Sequence, residues 1–236
     1  MLEAVLFDWG DTLMRWTFGP ELLTAGHIAG LEAAGVEPVP GLSERFQEVY
    51  LPAIFAPGVV EEVEYPGLVR QLLGEFGIEL DDAALAAFLE AEHRAWQPAR
   101  QLADTTHALL ELLRDRGYRL ALVSNAMDPP WLLHRDLEEF GVAERLDAAV
   151  FSSEVGFRKP HRAIFERALE LLGGVDPANA LMVGDRLFED VGGAAALGLY
   201  TCQALWFRAD ELGDGPEPDF RAFTQMDVVT ALKRLS

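Results

Sequence analysis

Five apolar runs of strand length, separated by helical patterns, constrain the fold of this 236-residue chain more than any other feature. Each run is almost continuously apolar, which is typical of strands buried on both faces of a sheet. The runs cover residues 4–9, 119–124, 146–151, 180–184 and 199–205. Helical patterns cover 104–117, 129–141 and 160–173 between them. This alternation predicts an α/β fold with a doubly wound parallel sheet.

Residues 17–97 interrupt the alternation. Apolar side chains recur there at helical spacing in several successive segments, and the region contains no good strand pattern. We therefore predict a core made of residues 1–16 and 98–236, with an all-helical domain of residues 17–97 inserted after the first strand. An acidic loop at 213–219 and a last helix at 227–235 complete the predicted core.

Charge restricts the possible partners of the chain. The sequence holds 19 basic and 39 acidic residues, for a formal charge of -20, which disfavours a nucleic-acid-binding surface. An anionic substrate would need a local positive site or a metal ion. No apolar run approaches the ~20 residues that span a bilayer, and the first residues do not resemble a signal peptide. We expect a cytoplasmic protein without membrane or nucleic-acid partners, either a monomer or a homodimer.

Chemically active residues follow the carboxyl ends of the predicted strands, where parallel sheets bind ligands. They are Asp8, Asp11, Thr12, Ser124, Asn125, Lys159, Asp185, Glu189 and Asp190. Carboxylates this close repel one another unless protons or a divalent cation neutralise them, so the pattern predicts a Mg²⁺ site. A metal ion, a nucleophilic carboxylate and a lysine are together the parts of a phosphoryl-transfer site.

Four segments carry these residues in a recognisable order. They are 7–13 (Phe-Asp-Trp-Gly-Asp-Thr-Leu), 122–125 (Leu-Val-Ser-Asn), 156–160 (Gly-Phe-Arg-Lys-Pro) and the longer segment 183–198. Their order and spacing resemble motifs I to IV of the haloacid dehalogenase (HAD) superfamily, and the helical insert is similar to the C1 cap of that family. The resemblance implies a Mg²⁺-dependent phosphatase that acts on a small phosphorylated metabolite.

The same resemblance implies roles for the acidic residues. Asp8 would attack phosphorus and form an aspartyl-phosphate intermediate. Asp8, Asp185 and the backbone carbonyl of Gly10 would hold Mg²⁺. Asp190 would support the metal site through water or through Lys159.

The remaining motif residues would bind the substrate. Ser124 and Lys159 would contact the transferring phosphoryl group, whose charge needs stabilisation. Asn125 belongs to the same substrate-binding set, and Thr12 would orient the loop after the first strand.

One departure from the family pattern concerns the proton donor. Phosphatases of this family carry a second Asp two residues after the nucleophile, but this chain has Gly10 there and an acid one place later, Asp11. Protonation of the leaving group typically contributes about 10²–10⁴-fold. Three interpretations are open: Asp11 reaches the leaving oxygen, water or the cap supplies the proton, or turnover is weak.

Other functions are compatible with parts of this pattern. A metal-independent 2-haloacid dehalogenase shares the fold and the nucleophile and also lacks the second Asp, but such enzymes have small polar groups near the position of Asp185. A further alternative is a binding protein instead of an efficient enzyme, that is, a weakly active or non-catalytic relative that binds a phosphorylated metabolite. The five histidines share no metal-binding spacing, so we interpret them as structural or solvated.

Overall fold

A computed structural model describes residues 1–208 and 214–235. Gly213, the first residue of the predicted acidic loop, therefore lies outside the described residues. Within them the strands are β1 (Ala4–Phe7), β2 (Met14–Trp16), β3 (Arg100–Leu102), β4 (Arg119–Ser124), β5 (Ala148–Phe151), β6 (Ala180–Gly184), β7 (Tyr200–Ala204) and β8 (Phe220–Ala222). Six of these strands form a parallel sheet in the order β5-β4-β1-β6-β7-β8, which confirms the predicted α/β fold.

Helices cover both faces of this sheet. The α-helices of the described residues are α1 (Pro20–Ala33), α2 (Leu42–Arg45), α3 (Leu51–Ile54), α4 (Tyr65–Glu75), α5 (Asp82–Ala95), α6 (Thr106–Asp115), α7 (Pro130–Glu139), α8 (Ser152–Val155), α9 (Arg162–Leu171), α10 (Gly193–Leu197) and α11 (Asp227–Leu235). None of them has the length and hydropathy that a membrane-spanning helix needs.

Alternate residues of the strands face opposite sides of the sheet. Val5 and Phe7 of β1 join an apolar cluster with α6, α7 and α11, whereas Ala4 and Leu6 join a second cluster with α9 and α10. The register pairs Phe7 with Leu122 of β4 and with Val183 of β6. The carboxyl ends of these three strands therefore lie at one level, and the loops that follow them meet at one edge.

The segment between β2 and β3 is helical, and the two strands pair with each other in antiparallel register. Helix α1 lies so close to α5 that a Cβ at Gly30 would come within 2.7 Å of the Phe88 ring. A third apolar cluster joins the helices of the insert and includes Leu132 of α7. The insert therefore packs internally and also against the core, while the division of the chain into domains at 17–97 stays a prediction.

A polar cluster is buried within the helical insert. Glu92 of α5 accepts a hydrogen bond from the Tyr65 hydroxyl at 2.9 Å, and its other oxygen lies 3.4 Å from His27 Nε2. Burial raises the pKa of Glu92 well above its usual value and lowers the pKa of His27 to about 4. Burial thus favours the uncharged form of both groups.

Glu92→Gln is expected to leave the protein at least as stable as the wild type at neutral pH, because burial favours the protonated form of Glu92 and the amide oxygen still accepts from Tyr65. The raised pKa of Glu92 also means that the wild type loses more stability than the glutamine variant as pH rises above the ordinary pKa of a glutamate. Urea denaturation at neutral and alkaline pH measures both effects. A loss above about 3 kcal/mol at neutral pH would instead indicate an ionised pair.

Candidate active site

The predicted site residues meet at a cleft of about 420 Å³ at the carboxyl ends of β1, β4 and β6. The core contributes Asp8, Gly10, Asp11, Ser124, Asn125, Lys159, Asp185, Glu189 and Asp190 to its lining. The opposite side, called the insert side below, is lined by Phe55 of the insert and by core residues next to or in contact with the insert, among them Arg100, Asp128, Asp136 and Arg158. This arrangement follows from the strand register, which brings distant loops to one edge of the sheet.

Lys159 lies at the base of the cleft and is almost completely buried. Its Nζ atom lies 2.6 Å from Asp8 Oδ1 and 2.6 Å from Asp190 Oδ1, and it donates to the Val123 carbonyl at 2.8 Å. A compact ammonium group with three donors can make three converging contacts of this kind, which a planar guanidinium cannot reproduce. The arginine-rich chain therefore has a physical reason to use lysine here.

Burial and charge shift the acid–base equilibria of this group of residues. Burial raises the pKa of Asp8 to about 6 despite the nearby Lys159 charge. Burial, followed by the charges of Asp8 and Asp190, raises the pKa of Asp185 to about 8. Burial alone would lower the pKa of Lys159, but Asp190 and Asp8 outweigh it and raise that pKa. The cleft thus holds more negative charge than Lys159 neutralises.

Three carboxylates offer a set of oxygen atoms for a hard cation. Oxygens of Asp8, Asp185 and Asp190 lie within 4.8 Å of one another. Asp190 is already engaged on both oxygens, with Lys159 on one and the Arg186 N–H at 2.9 Å on the other. Oxygen donors and uncompensated negative charge fit Mg²⁺. Asp8 pairs with Lys159 through Oδ1, and Asp185 lies 3.3 Å from Arg186 Nε and 3.5 Å from Arg208 Nη1 through Oδ2, so each carboxylate has a second oxygen outside these ion pairs.

Gly184 allows Asp190 to come this close to the strand. A Cβ at Gly184 would lie 2.3 Å from the carboxyl carbon of Asp190. A larger residue would displace the Asp190 side chain and break its ion pair with Lys159. Gly184 therefore allows Asp190 to hold Lys159 in place.

Asp11 is bound on both carboxylate oxygens. Its Oδ1 atom accepts from the Trp16 N–H at 3.1 Å, and its Oδ2 atom lies 3.3 Å from Arg208 Nη1. The residue has a left-handed backbone with φ of 54°, a conformation that aspartate tolerates better than most residues. In this arrangement Asp11 braces the loop after β1, and its role as a proton donor stays a prediction.

Asn125 and Thr12 have positioning contacts. Asn125 Oδ1 accepts from the Lys159 N–H at 2.7 Å, and its Nδ2 donates to the Lys159 carbonyl at 3.2 Å. Asn125 thus fixes the backbone of Lys159, although it borders the cleft. Thr12 is fully buried and lies outside the described cleft lining, and its carbonyl accepts from Trp206 Nε1 at 2.8 Å. Its placement fits loop orientation rather than the predicted contact with substrate.

The sequence interpretation missed an ion cluster on the insert side of the cleft. His93 of α5 lies 2.7 Å from Asp128 through Nδ1 and 2.9 Å from Asp136 of α7 through Nε2. Arg100 of β3 lies 2.9 Å from the same Asp136 oxygen. Arg100, Asp128 and Asp136 line the cleft. These residues come from four separate segments, so no short sequence pattern identifies them.

Comparisons with known proteins identify the family of the chain. A family model of haloacid dehalogenase-like hydrolases matches residues 2–198. A glyceraldehyde 3-phosphate phosphatase of Methanothermobacter thermautotrophicus is 29% identical over 236 residues, covering 100% of both chains.

Two solved structures share the fold. A HAD phosphatase from Thermococcus onnurineus superposes with a TM-score of 0.67 at 23% identity over 98% of each chain. A 2-haloacid dehalogenase from Pseudomonas syringae superposes with a TM-score of 0.69 at 22% identity over 100% of each chain. Because the two differ in chemistry, the function has to be argued from the site.

Proposed function

The chain belongs to the haloacid dehalogenase-like hydrolases, and on this premise we propose that it is a Mg²⁺-dependent phosphatase. Its substrate is a small phosphorylated metabolite, and its nucleophile is Asp8. The contact that carries this proposal is the buried Lys159, with Nζ at 2.6 Å from both Asp8 and Asp190. The full-length relative named as a phosphatase supports the same class of reaction.

The proposed reaction has two steps, which use these side chains. A carboxylate oxygen of Asp8 forms a bond to phosphorus while the bond from phosphorus to the ester oxygen breaks, and the leaving alcohol takes up a proton. Water then attacks phosphorus, which releases phosphate and restores Asp8. Lys159 and Ser124 line the same cleft, where the positive charge of Lys159 and the hydroxyl group of Ser124 would stabilise the charge of the transferring group.

Asp8 and Asp185, with the backbone carbonyl of Gly10, would hold Mg²⁺, which supplies charge stabilisation to the phosphoryl oxygens when bound. Asp190 holds Lys159 in place and supports the metal site indirectly. An acid at position 185 also separates the phosphatase from the dehalogenase alternative. Burial raises the pKa of Asp185 to about 8, so the ionised form is unfavourable unless a proton or a cation neutralises it.

Mg²⁺ is expected to raise the melting temperature more at pH 8 than at pH 6. Raised pKa values at Asp8 and Asp185 mean that the metal-free protein is most stable where these acids are protonated, and that it loses stability as pH rises toward 8. Protons compete with Mg²⁺ at the lower pH, so bound metal stabilises more at the higher one. Thermal denaturation with MgCl₂, against NaCl of equal ionic strength, measures the difference. An equal shift at both pH values would contradict this metal assignment.

Phosphate release from p-nitrophenyl phosphate and from a panel of natural phosphate esters tests the proposed activity. Turnover is expected with Mg²⁺ and is expected to disappear with EDTA. Halide release from 2-chloropropionate, measured in parallel without metal, tests the dehalogenase alternative. Metal-independent halide release without phosphate release would overturn the proposal in favour of that alternative.

A further inference from the structure

The insert side of the cleft has a carboxylate that the proposed chemistry does not use. We propose that Asp128 binds a hydroxyl group of the substrate, so that the enzyme selects hydroxyl-bearing phosphate esters of the polyol or sugar class. This inference rests on the proposed phosphatase function and adds a specificity-determining residue to it. Asp128 lines the same cleft as Asp8, Ser124 and Lys159.

Asp128 is held firmly on one oxygen only. Its Oδ1 atom lies 2.7 Å from His93 Nδ1, and within residues 1–208 and 214–235 the other carboxylate oxygen has no hydrogen-bond partner. The side chain is 15% exposed and lines the cleft. A carboxylate group can accept several hydrogen bonds. A hydrogen bond from a ligand to the largely buried second oxygen would therefore stabilise the bound ligand.

His93 fixes the direction of this carboxylate. Its second ring nitrogen, Nε2, lies 2.9 Å from Asp136, so both edges of the ring face acids and the ring has one orientation. Burial alone would lower the pKa of His93, but the bonds to Asp128 and Asp136 outweigh it and raise that pKa. The contact with the His93 ring thus holds the Asp128 carboxylate in one position, and a carboxylate oxygen accepts hydrogen bonds from hydroxyl groups.

Paired cations on this side of the cleft disfavour a second anionic group on the substrate. Arg100 lies 2.9 Å from Asp136, and the guanidinium of Arg158 lies 3.7 Å from Glu62 and donates to the Ile54 carbonyl at 3.0 Å. In the described part of the insert side, each lining arginine thus has a carboxylate partner. A substrate carboxylate or second phosphate would meet Asp128 without a free cation, whereas a hydroxyl would donate to it.

Apolar residues also line the cleft that contains Asp128, and they favour a small substrate. Met127, Leu133 and Trp16 line this cleft as well. They offer contact to the C–H surface of a short carbon chain, and the cleft volume of about 420 Å³ suits a small metabolite.

The experiment compares two esters on the same enzyme, glycerol 3-phosphate and n-propyl phosphate, which differ by two hydroxyl groups. The wild type is expected to favour glycerol 3-phosphate in kcat/KM by about 10- to 100-fold, as a hydrogen bond to a charged group allows. Asp128→Ala and Asp128→Asn are expected to bring this ratio close to one, since the first removes the acceptor and the second presents an amide donor. Glu139→Gln, which removes an exposed carboxylate of α7, should leave the ratio unchanged.

The ratio does not depend on the fraction of folded enzyme, so a destabilised variant still gives an answer. A wild-type ratio near one, a ratio unchanged in both Asp128 variants, or a preference for phosphoglycolate over both esters would overturn the proposal. Failure of the phosphatase function itself would look different, because n-propyl phosphate and p-nitrophenyl phosphate would then also remain intact.

Discussion

Asp8→Asn is expected to reduce kcat/KM for phosphate esters by on the order of 10⁴-fold or more, because the reaction loses the atom that bonds to phosphorus. The fold should persist, since Lys159 keeps its contacts with Asp190 at 2.6 Å and with the Val123 carbonyl at 2.8 Å. Steady-state phosphate release, together with circular dichroism of the same sample, measures the two effects separately.

Glu3→Gln is the matched control for this change. Glu3 precedes β1 at the opposite end from Asp8, is about half exposed, and forms an ion pair with Arg119. Loss of its charge should leave the activity within about twofold of the wild type, as for most surface substitutions. An Asp8→Asn variant with more than a tenth of the wild-type activity would rule out Asp8 as the nucleophile.

Lys159→Met is expected to lower both activity and stability. Without the ammonium, Asp8 and Asp190 face each other unpaired, and breaking a buried ion pair costs about 3–5 kcal/mol. Loss of a charge-stabilising donor should reduce kcat by about 10²–10³-fold. Because Lys159 lowers the pKa of Asp8, that pKa should rise in the variant, and the acid side of the pH–rate profile should move to higher pH.

Urea denaturation, kcat and the pH–rate profile measure the three effects. Lys233→Met is the matched control, because Lys233 is the second of the two lysines in the chain and is exposed on α11. Lys159→Arg should fail to restore activity, since a guanidinium does not fit the three converging contacts. Full activity of Lys159→Arg would show that the geometry around the ammonium is dispensable.

Much of the fold follows from local sequence patterns. The strand predicted at 180–184 matches the observed Ala180–Gly184, and the last helix matches Asp227–Leu235. The short strands β2, β3 and β8 were not predicted. Each has three residues and partly exposed side chains, so its stability comes from pairing with a neighbour rather than from its own apolar pattern.

The catalytic edge of the cleft was predictable for a topological reason. Three neighbouring parallel strands end at this edge: Asp8 and Asp185 directly follow two of them, and Ser124 is the last residue of the third. The sheet therefore brings these residues together independently of how the other segments pack. Lys159 follows the predicted strand at 146–151 and is one of two lysines in the chain, which made it a candidate as well. The sequence therefore predicts which side chains meet there, although their roles remain to be tested.

The insert side of the cleft was not predictable in this way. His93 and Asp136 lie 43 residues apart, and their contact depends on how α5 packs against α7. Asn125 shows the same limit at shorter range, because its position after β4 suggests a ligand contact while its amide is used to hold Lys159. Tertiary packing, rather than local pattern, decides both cases.

The most direct test of the mechanism is detection of the covalent intermediate on Asp8. Enzyme mixed with substrate and Mg²⁺ would be quenched in acid within one turnover, digested, and analysed by mass spectrometry. The proposed mechanism predicts one added phosphoryl group on the peptide that contains Asp8, absent from Asp8→Asn. Turnover without a phosphorylated residue, or with the phosphoryl group on another side chain, would contradict it.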